Sequence, residues 1–294
     1  MAKIFPGGDS VSRDWPPALV GGVDAIDPAW HEEYFVDFTA QSTGAIAHNA
    51  TVTIDGVGWL AEEDNSGDTN DDIGTLEWVN GQGLKATPIS STSNSNMHDS
   101  IDAPCLSVKL DDCIPNFTNR DVICVQVFTA EPVTIAAQHD GYGIAIYEPQ
   151  ADLTSVTKWV YMRNYFVNGP VRQWRISGQG SGAGTQAADS GGVSSVPRMI
   201  EIVLYPGQHA ICSTSTSTSV TQKPLASTSN RGWCRADQSV INEHGSFSEP
   251  SWKLASNSMR LGLVSYKYNS GTSFYNYFQK VRVLRLGGKD GGSD

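Results

Sequence analysis

The chain is poor in charge, poor in helix-forming residues and without a long apolar run. Charged residues make up 17% of its 294 positions, and nowhere do the roughly 18–20 consecutive apolar residues of a membrane-spanning helix occur. No membrane partner is therefore expected. Positive charge is the scarcer sign: 20 Lys and Arg face 31 Asp and Glu, a formal net charge of −11. An acidic surface repels phosphate backbones, so no nucleic-acid partner is expected either. The opening MAKIFPGGDSVSRDW lacks the apolar h-region of a secretory signal, which implies synthesis in a cytoplasm without a signal peptide. Cysteine is sparse: Cys105, Cys113, Cys124, Cys212 and Cys234. An odd count without paired spacing suits buried, reduced thiols, with a Cys105–Cys113 bridge as the minor alternative. G-x-S-x-G, P-loop and HExxH patterns are absent, and the histidines are scattered without metal-ligand spacing.

Turn and strand formers are what remain. From Phe35 onward, β-branched and aromatic runs such as YFVDFTA, DVICVQVFTA, RMIEIVLY and KVRVLRL recur between Asp, Asn, Gly and Pro turns. The class is all-β. In RMIEIVLY, Ile200, Ile202 and Leu204 share one face and Glu201 lies on the other. DVICVQVF is apolar on both faces, which predicts a central strand covered on both sides. Leu284 breaks the alternation set by Val281 and Val283 and predicts a bulge. Residues 1–35 differ from the rest. A Pro- and Gly-rich arm is followed by DAIDPAWHEEY, where Asp27 as N-cap and Pro28 at the first helical position predict a short helix. The organisation expected is an arm over 1–35, a β-sandwich over 36–286 and a Gly-rich tail over 287–294.

Taken in order, four phrases resemble a concanavalin A-like lectin/glucanase domain, the jelly roll also used by laminin-G modules. They are GTLEWVNGQGLKA, DGYGIAIYE with KWVYMRN, RMIEIVLYPGQHAICST, and MRLGLVSYKYNSGTSFYNYFQKVRVLRL. The resemblance implies an antiparallel two-sheet jelly-roll sandwich in which both chain ends lie in central strands. The glycanase branch of that family places carboxylates on one strand face as E-x-D-x-E, near enough to act as nucleophile and acid. Here Glu33 and Asp37 in HEEYFVDF, and Glu201 alone in its strand, do not reproduce that spacing. No catalytic residue is expected.

Two weaker candidates carry binding chemistry. Trp174, Tyr275 and Tyr277 could stack on the flat face of a sugar, whereas Trp59, Trp78 and Trp159 read as packing residues. In the acidic loop AEEDNSGDTNDD, Asp64, Asp68, Asn70 and Asp72 recur at even spacing, and hard oxygen ligands suit calcium. The loop lacks the Gly and terminal Glu of an EF-hand, so a solvated acidic loop is the plainer reading. No other cofactor is implied.

The expectation is a non-enzymatic virion structural protein of a tailed phage, a capsid decoration or a tail or fibre component. Its partners would be other virion proteins, reached through the arm, and copies of itself. Such arms gain little by folding alone and order against neighbours. The alternatives are a lectin that binds surface glycans, and a glycan hydrolase or lyase whose site the sequence does not reveal.

Overall fold

A computed structural model describes residues 30–286, apart from 63–73, 89–104, 117–120, 131–140, 148–158, 169–170, 180–184, 190–197, 206–208, 216–217, 221–231, 236–239, 243–244, 248–258 and 267–274. The described strands are β1 Trp30–Asp37, β2 Gly44–Ile46, β3 Thr51–Ile54, β4 Val57–Glu62, β5 Gly74–Val79, β6 Gly83–Pro88, β7 Cys105–Lys109, β8 Ile123–Thr129, β9 Gly141–Tyr147 and β10 Trp159–Asn168. They continue as β11 Val171–Gln179, β12 Thr185–Asp189, β13 Met199–Tyr205, β14 His209–Ser215, β15 Gly232–Arg235, β16 Val240–Asn242, β17 Gly245–Phe247, β18 Arg260–Tyr266 and β19 Asn276–Leu286. A 3-10 turn at Phe38–Ala40 and a single turn of helix, α1 at Leu110–Cys113, complete the described elements.

Two antiparallel sheets result. The larger runs β17-β16-β15-β14-β13-β8-β19-β6-β5-β2, with β1 also on β19; the smaller runs β12-β11-β10-β9-β18-β7-β4-β3. The chain crosses between them at β2 to β3, β4 to β5, β6 to β7, β7 to β8, β8 to β9, β12 to β13, β17 to β18 and β18 to β19. This is the antiparallel jelly-roll sandwich that the resemblance implies. The smaller sheet faces the larger across one core.

Period-two alternation decides who enters that core. Ile123, Val125 and Val127 of β8, Ile200 and Ile202 of β13, Leu261 and Leu263 of β18, and Val281 and Val283 of β19 are all buried within it. Fully burying one such side chain is worth roughly 1.5–3 kcal/mol. At one end Trp59 packs edge-on to Phe38, with ring centroids 5.3 Å apart, and Trp78 lies 5.4 Å from the same ring. The Trp59 indole N–H donates to the Tyr34 hydroxyl at 3.0 Å, so the largest buried side chain leaves no polar atom bare. Burial raises the Tyr34 phenol well above its ordinary value, against the lowering effect of that bond.

β8 is central, as its two apolar faces predict. On its outer face Cys124 packs with Val203 and Leu284, under Trp30 and Val122. Gln126 stands on the same face and donates to Glu201 Oε2 at 2.8 Å. The sequence pattern left Glu201 isolated. Register supplies its partner, because Glu201 lies directly opposite Gln126.

The structure differs from expectation in two places. Trp30–Asp37 is a strand, where Asp27 and Pro28 predicted a helix extending into this segment. Seven register positions on β19 give its backbone partners, and Tyr34 and Val36 enter the core from it. Tertiary pairing outweighs a local capping signal. The sandwich therefore begins at residue 30 rather than 36, while residues 1–29 and the tail 287–294 lie outside the described residues. Second, the bulge that Leu284 predicts lies not in β19 but in the strand paired with it. The register slips in β1 between Glu32, opposite Leu284, and Tyr34, opposite Val283, while Leu284 itself is buried on the outer face against Cys124 and Val203; a further shift falls between Phe278 and Lys280 against β8. The two strands of the closing phrase do not pair with each other. β18 lies between β9 and β7 in the smaller sheet, and β19 between β8 and β6 in the larger. Both are inner strands, as the resemblance implies.

Gly262 explains the Leu-Gly-Leu of β18. Leu261 and Leu263 fill the core, while a Cβ on Gly262 would stand 2.7 Å from Cys105 Sγ and 3.0 Å from Tyr147 Cε1. Only glycine lets that thiol and ring close over the outer face.

Candidate functional site: a tyrosine face on the larger sheet

The site is built by one tight hairpin and the strand beside it. β5 and β6 are joined through Asn80-Gly81-Gln82, with Gly81 at φ +77°. Gly81 N–H donates to Thr39 O and Gln82 N–H to Val79 O, each at 2.9 Å. A three-residue connection of this kind fixes register, here Glu77 opposite Lys85. β19 continues the row, with Tyr277 opposite Lys85. Leu76, Trp78, Leu84, Ala86 and Phe278 alternate into the core, so Glu77, Lys85 and Tyr277 share the outer face.

Their side chains meet. The Lys85 ammonium donates to Glu77 Oε1 at 2.5 Å, and the two side chains remain 24% and 35% exposed. The same ammonium sits 4.7 Å from the centroid of the Tyr275 ring, a cation–π contact. Tyr275 and Tyr277 are 5.7 Å apart at 84°, edge to face. Asn276 between them turns inward and is fully buried, which leaves both tyrosines on the outer side. The Glu77 hydrogen bond is the main reason the Lys85 amine is held above its ordinary value, against a smaller opposing effect of burial. Burial, and then Tyr275, raise the Tyr277 phenol. Two aromatic rings set at right angles beside a paired ammonium can stack on one face of a sugar ring and meet its hydroxyls with polar edges.

The outer face of the same sheet carries two further ion pairs. Lys280 lies 3.2 Å from Asp37, and Arg282 Nε donates to Glu32 Oε2 at 2.5 Å. Arg282 also reaches Gln126 Oε1 at 3.4 Å, linking this pair to buried Glu201. Burial is the main cause that pushes the Cys124 thiol well up, with the neighbouring Glu201 adding to it.

The residues singled out from the sequence fall in three places. Tyr275 and Tyr277 come together at the β19 edge of the hairpin. Trp174 belongs to β11, opposite Asn164 of β10, in the smaller sheet; the backbone therefore does not join it to the tyrosines. Asp64, Asp68, Asn70 and Asp72 lie outside the described residues, in the segment that connects β4 of the smaller sheet to β5 of the larger. Among the described residues, no group of three or more His, Cys, Asp or Glu converges on one point, and no helix is long and apolar enough to cross a membrane. Cys105, Cys113 and Cys124 are free and buried, so no Cys105–Cys113 bridge is present. Sequence reasoning missed Glu77 and Lys85. The signal was available in LEWVNGQGLKA, where the Gly-containing turn sets a register that brings the two side chains together.

No protein-family model matches the sequence, and no curated protein matches it significantly. Among solved structures, the chain is similar to SCLam, a non-specific endo-β-1,3(4)-glucanase from family GH16. The identity is 9%, the TM-score 0.48, and 89% of this chain and 93% of that one are covered. It is also similar to an endo-1,3-β-glucanase from Streptomyces sioyaensis (12% identity, TM-score 0.46, 88% and 98% covered). A third similar structure is the CBM2 module of Lactobacillus casei BL23 phage J-1 evolved Dit (10% identity, TM-score 0.43, 87% and 96% covered). At such values the strand order above, rather than these likenesses, defines the fold.

Proposed function

We propose that this chain is a non-catalytic, glycan-binding β-sandwich carried as a structural component of a tailed-phage virion. The observation that carries the glycan reading is the tyrosine face: two tyrosines edge to face, beside an ammonium paired with a carboxylate, on the outer side of a rigid sheet. Tyr277 is held within β19 and Tyr275 directly precedes it, and rings already fixed by such contacts need less ordering when a sugar docks, which lowers the entropic cost of binding. The non-catalytic reading is supported by how three of the described carboxylates are used. Glu77 holds Lys85, Glu201 accepts from Gln126, and Asp37 accepts from Thr39 N at 2.9 Å and faces Lys280. Each is tied to a neighbour rather than paired with a second carboxylate at the separation glycoside hydrolysis requires.

The virion reading is supported by sequence composition. The Pro- and Gly-rich arm is of the kind that orders against a neighbouring subunit. Residues 30–35 of that segment pair on β19 of the same chain, so the reading rests on residues 1–29.

One experiment separates the three readings. The protein is incubated with a panel of soluble polysaccharides, and both retention on the polysaccharide and new reducing ends are measured. Retention without new reducing ends supports the proposal. New reducing ends would make the chain a hydrolase, new unsaturated ends a lyase, and neither retention nor cleavage would leave a purely structural module.

A further inference from the structure

Resting on the glycan reading, we infer that the tyrosine face selects neutral hexose units and rejects anionic ones such as uronates and sialic acids. A carboxylate on a sugar is usually met by a free cation, most often the fork of an arginine. Among the described residues of this outer face, three cations are already engaged with carboxylates. Lys85 is bonded to Glu77 at 2.5 Å and covers one side of the Tyr275 ring. Lys280 is matched by Asp37 at 3.2 Å and Arg282 by Glu32 at 2.5 Å. Each pair sums to zero formal charge, and the whole chain stands at −11. An approaching sugar carboxylate therefore meets Glu77 as a like charge at short range and an acidic field at long range. A hexose with a neutral hydroxymethyl group meets neither penalty.

The ring geometry narrows the unit further. A flat polysaccharide surface needs coplanar aromatic faces to lie along. Tyr275 and Tyr277 stand at 84°, forming a corner that fits one pyranose: stacked on one ring, with its edge against the other. Because Lys85 occupies one side of Tyr275, stacking falls to the opposite face of that ring and to Tyr277. The ligand class is a single neutral hexose within a soluble or branched glycan, rather than a crystalline sheet.

A saccharide array with matched hexamers tests this, mannose against mannuronate and galactose against galacturonate. At low ionic strength the neutral member of each pair should bind about five- to tenfold more tightly than its uronate. Glu77→Gln, which frees the Lys85 ammonium, should narrow or reverse that ratio. Equal or tighter uronate binding by the unaltered protein overturns the selectivity while leaving glycan binding intact. No binding to either member removes the glycan reading itself. Should Glu77→Gln fail to fold, the ratio for the unaltered protein still decides.

Discussion

Gly83 opens β6 at φ +109°, and a Cβ there would press into the Phe278 carbonyl of β19. The left-handed backbone and the close approach both demand glycine. Gly83→Ala should cost roughly 2–4 kcal/mol in denaturant unfolding, and should also weaken saccharide binding, because the same strands carry Lys85 and Tyr277. Asp37 is a second informative position. Burial pushes its carboxyl up, but hydrogen bonds from the Thr39 hydroxyl and amide, and then Lys280, outweigh this and hold it below its ordinary value of 3.8. The folded state thus holds that proton less tightly than the unfolded chain. Its stabilisation is present above pH 3.8 and is lost as pH falls through the lowered value. The group is partly exposed, so Asp37→Asn should cost no more than about 1 kcal/mol at neutral pH and should flatten the acid limb of a stability-against-pH curve. At this scale the sequence was legible wherever alternation ran clean, as for Ile200, Ile202, Val281 and Val283. It failed at Glu201, whose hydrogen-bond partner Gln126 lies 75 positions away in the chain.

At the scale of elements, strands were readable and their partners were not. Period two gives a strand and its faces, but says nothing of which distant strand it will join. The segment between Tyr266 and Asn276 is long enough either to fold back as a hairpin or to cross to the other sheet, so alternation alone does not place the closing pair. β1 was misread for a different reason. Its local capping signal was real, but seven pairing positions on β19 and the burial of Tyr34 and Val36 outweigh it. Truncation tests both. A chain ending before Met259 lacks β18 and β19 and should show no cooperative melt, whereas one ending after Gly287 should melt as the full chain does. Removing residues 1–29 should leave the melt intact and abolish incorporation or self-association. Removing residues 1–37 takes β1 with it and should lower the midpoint sharply. A melt unchanged by the longer deletion would mean that β1 is not part of the sandwich.

At the scale of the whole molecule, two sheets enclose one core and keep reactive groups away from solvent. Burial raises the Cys113 and Cys124 thiols far above their ordinary value, and Cys105 lies fully buried under Gly262. All three should resist a thiol reagent in the native protein and react together once it unfolds. Early labelling of Cys124 would contradict the burial of the outer face of β8. The acidic segment 63–73 gives a further check: if it binds calcium, EDTA lowers the melting midpoint, and an unchanged midpoint removes that proposal. The fold class was legible in the full chain because alternation and turn residues recur along its length. The candidate site was legible only in half, since Tyr275 and Tyr277 stand out by composition while Glu77 and Lys85 join them only through register. The measurement that bears most directly on the account is calorimetric titration of a neutral hexose hexamer into the unaltered protein, Tyr277→Ala and Trp174→Ala. The account predicts saturable binding that falls about tenfold or more in Tyr277→Ala and persists in Trp174→Ala. Binding that survives the loss of Tyr277, or is lost with Trp174 alone, would contradict it.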